Sequence, residues 1–294
     1  MSEANITIPV DLTNPGQFFA CCGLLELVSR IDAETLACFR GEHFVLQTSA
    51  TNALALFLKC EIAIDTDYHA SDADDEEGGD GDDDVLNPNR GRVFPMYLGS
   101  PFNLRLDWWT DEHAKAQKLK LWTAGQRVTD LLTGHYKNKP KKGRGVPKGT
   151  KEKVYTPSTR EHLADVCAKY PQDWLRKAVP ITSPGAFSYD SRLSRNNALD
   201  LGHFSAGTFA FSPAADVLSL IALQRFRPLM VEVWNRNQYC TWKEFMPVSV
   251  APACVVGAIP SLVDRRFEFP IKARDSQGRF KLFGHAQPIR SSNA

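Results

Sequence analysis

Hydrophobic and polar positions change period several times along the chain, and each change predicts an element. Asn5-Ile6-Thr7-Ile8-Pro9-Val10 alternates and is β-branched, which predicts a strand, with Pro9 placing it at a sheet edge or a strand end. From residue 15 the period lengthens. Phe18, Cys21, Cys22, Leu25 and Val28 recur at three- and four-residue spacings, and Phe19, Leu24 and Leu27 widen the stripe, so helix 15–30 is expected to be largely buried. Thr13 or Asn14 is placed to cap it, and Pro15 suits a first helical position, where an N–H would have no partner.

Further along, Glu42 to Thr48 predicts a strand and Ala53 to Lys59 a short helix capped by Thr51 or Asn52. Val93 to Tyr97 and the alternating run Phe102 to Trp109 predict strands, and Lys118 to Leu132 a helix. Thr159 to Cys167 reads as a helix that Gln172 to Lys177 continues beyond Pro171. Phe187 onward is expected to be a strand entering a polar loop that ends near Asp200, and Thr208 to Phe211 a strand. Ser212-Pro213 then opens a helix from Ala214 to Arg225, with Val217, Leu218, Ile221 and Leu223 inward. This strand, cap, proline and helix repeat the opening unit. Two related halves and a shared way of starting helices both account for the repetition. Val231 to Trp234, Tyr239 to Trp242, Phe267 to Arg274 and Arg279 to Phe283 predict strands, with hairpin turns at 235–238 and 275–278. The class is α+β, with mixed or antiparallel sheets and packed helices.

Charge adds a division that the net value of +1 conceals. Asp65 to Asp84 is acidic without a Lys or Arg, glycine-rich and nearly devoid of apolar residues, so a disordered loop is expected over 65–84. Its acids lack the ordered spacing of an EF-hand calcium loop. Lys137 to Lys153 is the opposite pole, with Glu152 its one acid. Its Pro and Gly content predicts a basic loop without helix or strand interior. The expected organisation is an N-terminal α+β region over 1–135, a basic loop or linker over 136–158, and a C-terminal α+β region over 159–294 that ends in β-hairpins.

No apolar run approaches the roughly 20 residues that span a bilayer, and the amino terminus has no basic-then-apolar leader, which makes the cytoplasm the expected location. The seven cysteines form no Cys-x-x-Cys pair, which argues for buried thiols rather than disulfides or zinc. The histidines are far apart and no metalloprotease or nucleophile-elbow motif occurs, so no catalytic residue and no cofactor are assigned. Asp190 and Asp200 bracket Arg192 and Arg195, a pattern for ion pairs or phosphate contacts.

The chain does offer basic and amide-bearing loops. Lys139, Lys141, Lys142, Arg144 and Lys148 suit phosphates. Arg192, Arg195, Asn196 and Asn197 carry the side chains that read guanine and adenine edges. Lys272 and Arg274 are expected to point away from the apolar face of the last hairpin. The turn at Asn14, Gly16 and Gln17 either binds an anion through helix N–H groups or only starts a core helix.

Several stretches together resemble a family. Asn14-Pro15-Gly16-Gln17-Phe18-Phe19-Ala20-Cys21-Cys22-Gly23-Leu24-Leu25-Glu26-Leu27, Leu106-Asp107-Trp108-Trp109, Leu119 to Gln126, Tyr189-Asp190-Ser191-Arg192 with Ala198-Leu199-Asp200, and Leu223-Gln224-Arg225-Phe226-Arg227-Pro228 are similar to the short large-subunit-like proteins of type I-G (formerly I-U) CRISPR systems. The family pattern Asp-x-Gly-Phe-Ser stands here as Asp200-Leu201-Gly202-His203-Phe204-Ser205, with His203 extra. The resemblance implies a non-enzymatic subunit of a crRNA-guided complex whose partners are crRNA, target DNA, backbone subunits and a helicase-nuclease. Such a subunit reads the short motif beside the target and holds the opening duplex, and Asn14 and Gln17 would then touch a nucleic-acid backbone or the guide complex. Two alternatives remain. One is an RNA-processing enzyme using His135 as a general base. The other is an adaptor that binds protein partners through Trp108, Trp109 and Trp122.

Overall fold

A computed structural model describes residues 4–67, 94–110, 126–140, 151–181, 187–192, 209–231, 236–273 and 281–289. The fold is α+β. Its centre is helix α1 (Pro15–Ser29), in which every residue from Pro15 to Val28 is buried. A helix apolar on all sides must be covered on all sides, and three layers do so.

The first layer is a four-stranded antiparallel sheet in the order Ala4–Pro9, His43–Thr48, Leu36–Arg40, Met246–Pro247. Ala4–Pro9 lies at its edge, as Pro9 requires. Leu36–Arg40 has no alternating pattern to betray it, because Ala37, Cys38 and Phe39 are buried in succession. The second layer is a mixed sheet in the order Phe187–Ser188, Lys281–Phe283, Val263–Ala273, Arg236–Trp242, Leu229–Met230, with Gln287–Ile289 also paired to Val263–Ala273. Phe187–Ser188 runs parallel to Lys281–Phe283, and the other pairings are antiparallel. Phe267, Phe269 and Ile271 share the buried face of the long strand.

Aromatic rings join α1 to both sheets. Phe18 stacks on Tyr239 at 4.3 Å and on Phe39 at 5.2 Å between centroids. Phe19 meets Phe269 and Phe283. The third layer is a set of helices: α2 (Ala53–Lys59), α3 (Gln126–Leu132), α4 (Thr159–Lys169) and α5 (Pro213–Ala222), with α6 (Ala251–Val255) behind the second sheet's strand Arg236–Trp242. The α1–α5 contact is the most extensive between helices among the described residues. It depends on small residues. A Cβ built on Gly23 would overlap the Leu218 carbonyl oxygen of α5, and one on Gly16 would overlap that of Tyr189. Ser219 Oγ donates to the Gly16 carbonyl at 2.9 Å, closing the same seam.

The expected regions 1–135 and 159–294 share this core. Met246–Pro247 supplies a strand to the first sheet, Trp242 Nε1 donates to the Ala37 carbonyl at 2.8 Å, and Ala286 N donates to that of Thr13 at 2.8 Å.

Four local expectations change. The turn expected at 235–238 is instead strand from Arg236, which pairs with Leu229–Met230, and Val231 lies outside either strand. The run Phe102 to Trp109 is a strand only over Leu104–Leu106 and then turns as a 3-10 helix over Trp108–Thr110. Residues 171–176 form turns rather than helix. The basic segment 137–153 is not all loop: His135–Pro140 pairs antiparallel with Lys151–Thr156. Its prolines and glycines fall at and between the strand ends, so the ladder loses nothing to them. The acidic segment lies outside the described residues beyond residue 67, as does helix 118–132 before residue 126. All seven cysteines are free, and all but Cys167 are buried. No described helix is long and apolar enough to cross a membrane.

Candidate functional site

Two places concentrate polar chemistry. The first is a buried cluster where α1 and α5 begin. Asn14 caps α1, its Oδ1 accepting from Gly16 N at 3.1 Å, and Ser212 caps α5, its Oγ accepting from Ala215 N at 3.1 Å. Between the two caps lies Asp190, whose side chain is 0% exposed. Its carboxylate accepts from Asn14 Nδ2 at 2.9 Å, Ser212 N at 2.7 Å, Arg192 Nε at 2.9 Å and Arg192 Nη2 at 2.6 Å. Both helix starts carry a positive dipole end while the caps take up the Gly16 and Ala215 N–H groups, so an internal carboxylate stands where an external anion would otherwise suit. Asn14 Oδ1 also accepts from Ser191 N at 3.2 Å, which fastens segment 187–192 to α1.

Asp216, in the first turn of α5, accepts from Tyr189 N at 2.9 Å. Burial, reinforced by the charge of Asp190, pushes its carboxyl up to about 7. A second buried acid, Glu26, lies further along α1. Its carboxylate accepts from Arg30 Nη2 at 2.7 Å and from Arg225 Nε at 2.6 Å.

The second place is the hairpin of His135–Pro140 and Lys151–Thr156, in which Tyr136 stands opposite Tyr155. Tyr136 is 70% exposed and Tyr155 44%, with centroids 5.1 Å apart and planes inclined by 54°. Tyr155 OH donates to the Glu161 carboxylate at 2.9 Å, and that bond raises the hydroxyl above the ordinary phenol range. Glu161 is itself fixed, accepting from Ser158 N at 2.7 Å in a capping box that opens α4. The Tyr155 hydroxyl also rests where a Cβ on Gly134 would stand.

These positions revise the sequence expectations. Asn14 is 1% and Gln17 3% exposed. Gln17 Oε1 accepts from Asp11 N at 2.8 Å. Both side chains bind the protein's own backbone, so neither presents an exposed group to a nucleic acid. Arg192 is likewise engaged: besides Asp190, its Nη1 donates to the Arg176 carbonyl at 2.8 Å, which removes it as a free reader of base edges. It belongs to the ion-pair reading of its sequence pattern.

Trp108 and Trp109 are each 1% exposed. Trp108 Nε1 donates to the Leu220 carbonyl at 2.9 Å, so these two indoles are core rather than adaptor surface. Lys272 is exposed as expected. Lys139 lies in the hairpin opposite Glu152, and His135 opposite Thr156. Lys141, Lys142, Arg144, Lys148, Arg195, Asn196, Asn197, Arg274 and Trp122 lie outside the described residues.

Sequence patterns do not reveal Asp216, Arg225 or the tyrosine pair. Glu26 and Arg30, four apart, are the visible half of one ion pair; Arg225 is 199 positions from Glu26 and leaves no such trace. Among the described residues no group of His, Cys, Asp and Glu is arranged to hold a metal ion.

Stretches that carry the family resemblance meet in space. Residues 14–27 join 189–192 through Asn14 and Asp190, and join 223–228 through Glu26 and Arg225. Residues 106–109 join 223–228 through Gln224, whose Oε1 accepts from Asp107 N at 3.0 Å and Trp108 N at 3.1 Å. Comparisons with protein-family models, curated proteins and solved structures return no match.

Proposed function

We propose that the chain is a non-catalytic, large-subunit-like component of a crRNA-guided type I CRISPR surveillance complex in the cytoplasm. It contacts target DNA beside the protospacer, supports the opened strands and helps recruit the helicase-nuclease. The observation that carries this reading is that four separated, resemblance-bearing stretches are bonded to one another, residues 14–27 to 189–192 and to 223–228, and 223–228 to 106–109, through Asn14, Glu26 and Gln224. The links fall at both ends of α1 and just beyond α5, so stretches far apart in the sequence are built into one core. The division of labour is physically economical: base pairing to the guide carries most of the sequence information, while protein loops test a short motif and grip backbone. With Asn14, Gln17 and Arg192 bound internally, the gripping surface is assigned to the basic segment from Lys137 to Lys153 and to Lys272.

Co-expression with the guide RNA and the other subunits tests the proposal. The chain should co-purify with the guide complex, and omitting it should abolish target-DNA binding in a mobility-shift assay. Full target binding without it would overturn the assignment. Incubation with repeat RNA should leave the RNA intact; cutting that His135→Ala removes would favour an RNA-processing enzyme instead.

A further inference from the structure

We propose that Tyr136 and Tyr155, with Lys153 beside them, form a stacking platform for the bases of single-stranded nucleic acid. The proposal deepens the function given above and rests on it only for which strand is bound.

An aromatic pair in a hairpin ordinarily gains by being covered, since each ring carries a large apolar area. Here Tyr136 is 70% exposed, the most exposed of the protein's described large hydrophobic residues. Its neighbour is held in place rather than free: Tyr155 is tethered through its hydroxyl to Glu161, which the capping box fixes, and it lies over the bare Cα of Gly134. Ordering a side chain before binding lowers the entropy lost on binding. The two planes, inclined by 54°, leave the rings unable to cover one another fully.

Charge narrows the occupant. By strand alternation Lys151 and Lys153 share the face positions of Tyr136 and Tyr155, while Lys137, Lys139 and Glu152 take the alternate positions. The acid at the pair is Glu161 on the Tyr155 hydroxyl, and Lys153 is exposed two positions from Tyr155. Exposed π-faces within a cationic strand pair match a polyanion that also offers flat apolar faces. Single-stranded nucleic acid has both properties, whereas a duplex keeps its base faces stacked inside.

Anisotropy of fluorescein-labelled dT20 and rU20 with the purified full-length chain provides the test, beside a dT20·dA20 duplex. Both single strands should bind more tightly than the duplex. Tyr136→Ala should weaken single-strand binding about 5- to 50-fold, since each stacked base contributes that order of affinity. Tyr136→Phe should stay within about twofold, because the ring face remains. Tyr136 is exposed, so its variants should keep the parent melting midpoint, and Tyr155→Phe gives a second variant that keeps the ring while cutting its tether.

Unchanged single-strand affinity in Tyr136→Ala would overturn the platform, as would equal binding of duplex. Poly-glutamate binding that falls equally in Tyr136→Ala would also overturn it and assign the surface to an acidic protein segment. Failure here is distinct from failure of the proposed function. A Tyr136→Ala chain that joins the guide complex but binds strands like the parent refutes only the platform. A complex that binds its target without the chain refutes only the subunit role.

Discussion

Asp216 is the side chain whose titration the structure makes most consequential. Its carboxyl is raised from 3.8 to about 7 by burial and by the charge of Asp190. Below about pH 4 it is protonated in folded and unfolded chains alike. Between pH 4 and 7 the unfolded chain releases the proton while the folded one keeps it, so stability falls as pH rises. Above pH 7 both are ionised and the full cost, about 4 kcal/mol from a displacement of this size, is present. Asp216→Asn should therefore flatten the decline of the melting midpoint between pH 5 and 8; an identical decline in both proteins would contradict the assignment. Arg192 makes a complementary case. Removing it leaves the buried Asp190 without its cation, and breaking such a pair costs about 3–5 kcal/mol. Arg192→Ala should lower the urea midpoint accordingly, and any change in motif preference should be measured only on folded protein.

Elements are legible in proportion to how local their causes are. Helix α1 shows its cap, its proline and its stripe within residues 14–28, and α5 does the same from Ser212. The strand Leu36–Arg40 is illegible because burial on both faces erases alternation. The basic hairpin escapes a reading by composition because proline and glycine dominate that composition, which says nothing of where they fall relative to the ladder. For the candidate site, Asp190 and Arg192 can be read as an ion pair, whereas their link to Asn14, 176 positions from Asp190, cannot. The glycines of α1 carry an element-scale prediction. Ala ordinarily favours a helix over Gly by about 1 kcal/mol, yet at Gly23 the added methyl would collide with backbone of α5. Gly23→Ala should destabilise the fold by about 1–3 kcal/mol or more in urea unfolding. A gain in stability would mean that the two helices do not approach as described.

At the scale of the molecule, opposite charges are segregated along a nearly neutral chain, so electrostatic behaviour should depend on the segment and not on the net charge. Neutralising Lys139, Lys141, Lys142 and Arg144 together should weaken DNA binding by the complex across all sequences. The slope of log affinity against log salt should become shallower by about 0.7–0.9 for each phosphate that the protein no longer neutralises. An unchanged slope would show that these residues do not touch phosphate. Acid adds a second limb to the stability profile: hydrogen bonds from Ser49 and Thr48 hold Asp32 down to about 2, so its contribution disappears as pH falls from about 4 through 2.

The seam between α1 and α5 also sets a timetable for synthesis. Ribosomes add about 5–20 residues per second, and Glu26 and Arg225 are 199 positions apart. Helix α1 therefore leaves the ribosome about 10–40 seconds before its partner exists. Throughout that interval the strands within residues 4–48 are available to α1, but the side of the helix that packs on α5 lacks its cover, and exposed apolar surface of that kind favours aggregation. Expression of residues 1–135 alone should extend that interval indefinitely and send the fragment to the insoluble fraction. Co-expression with 159–294 should bring part of it back into solution.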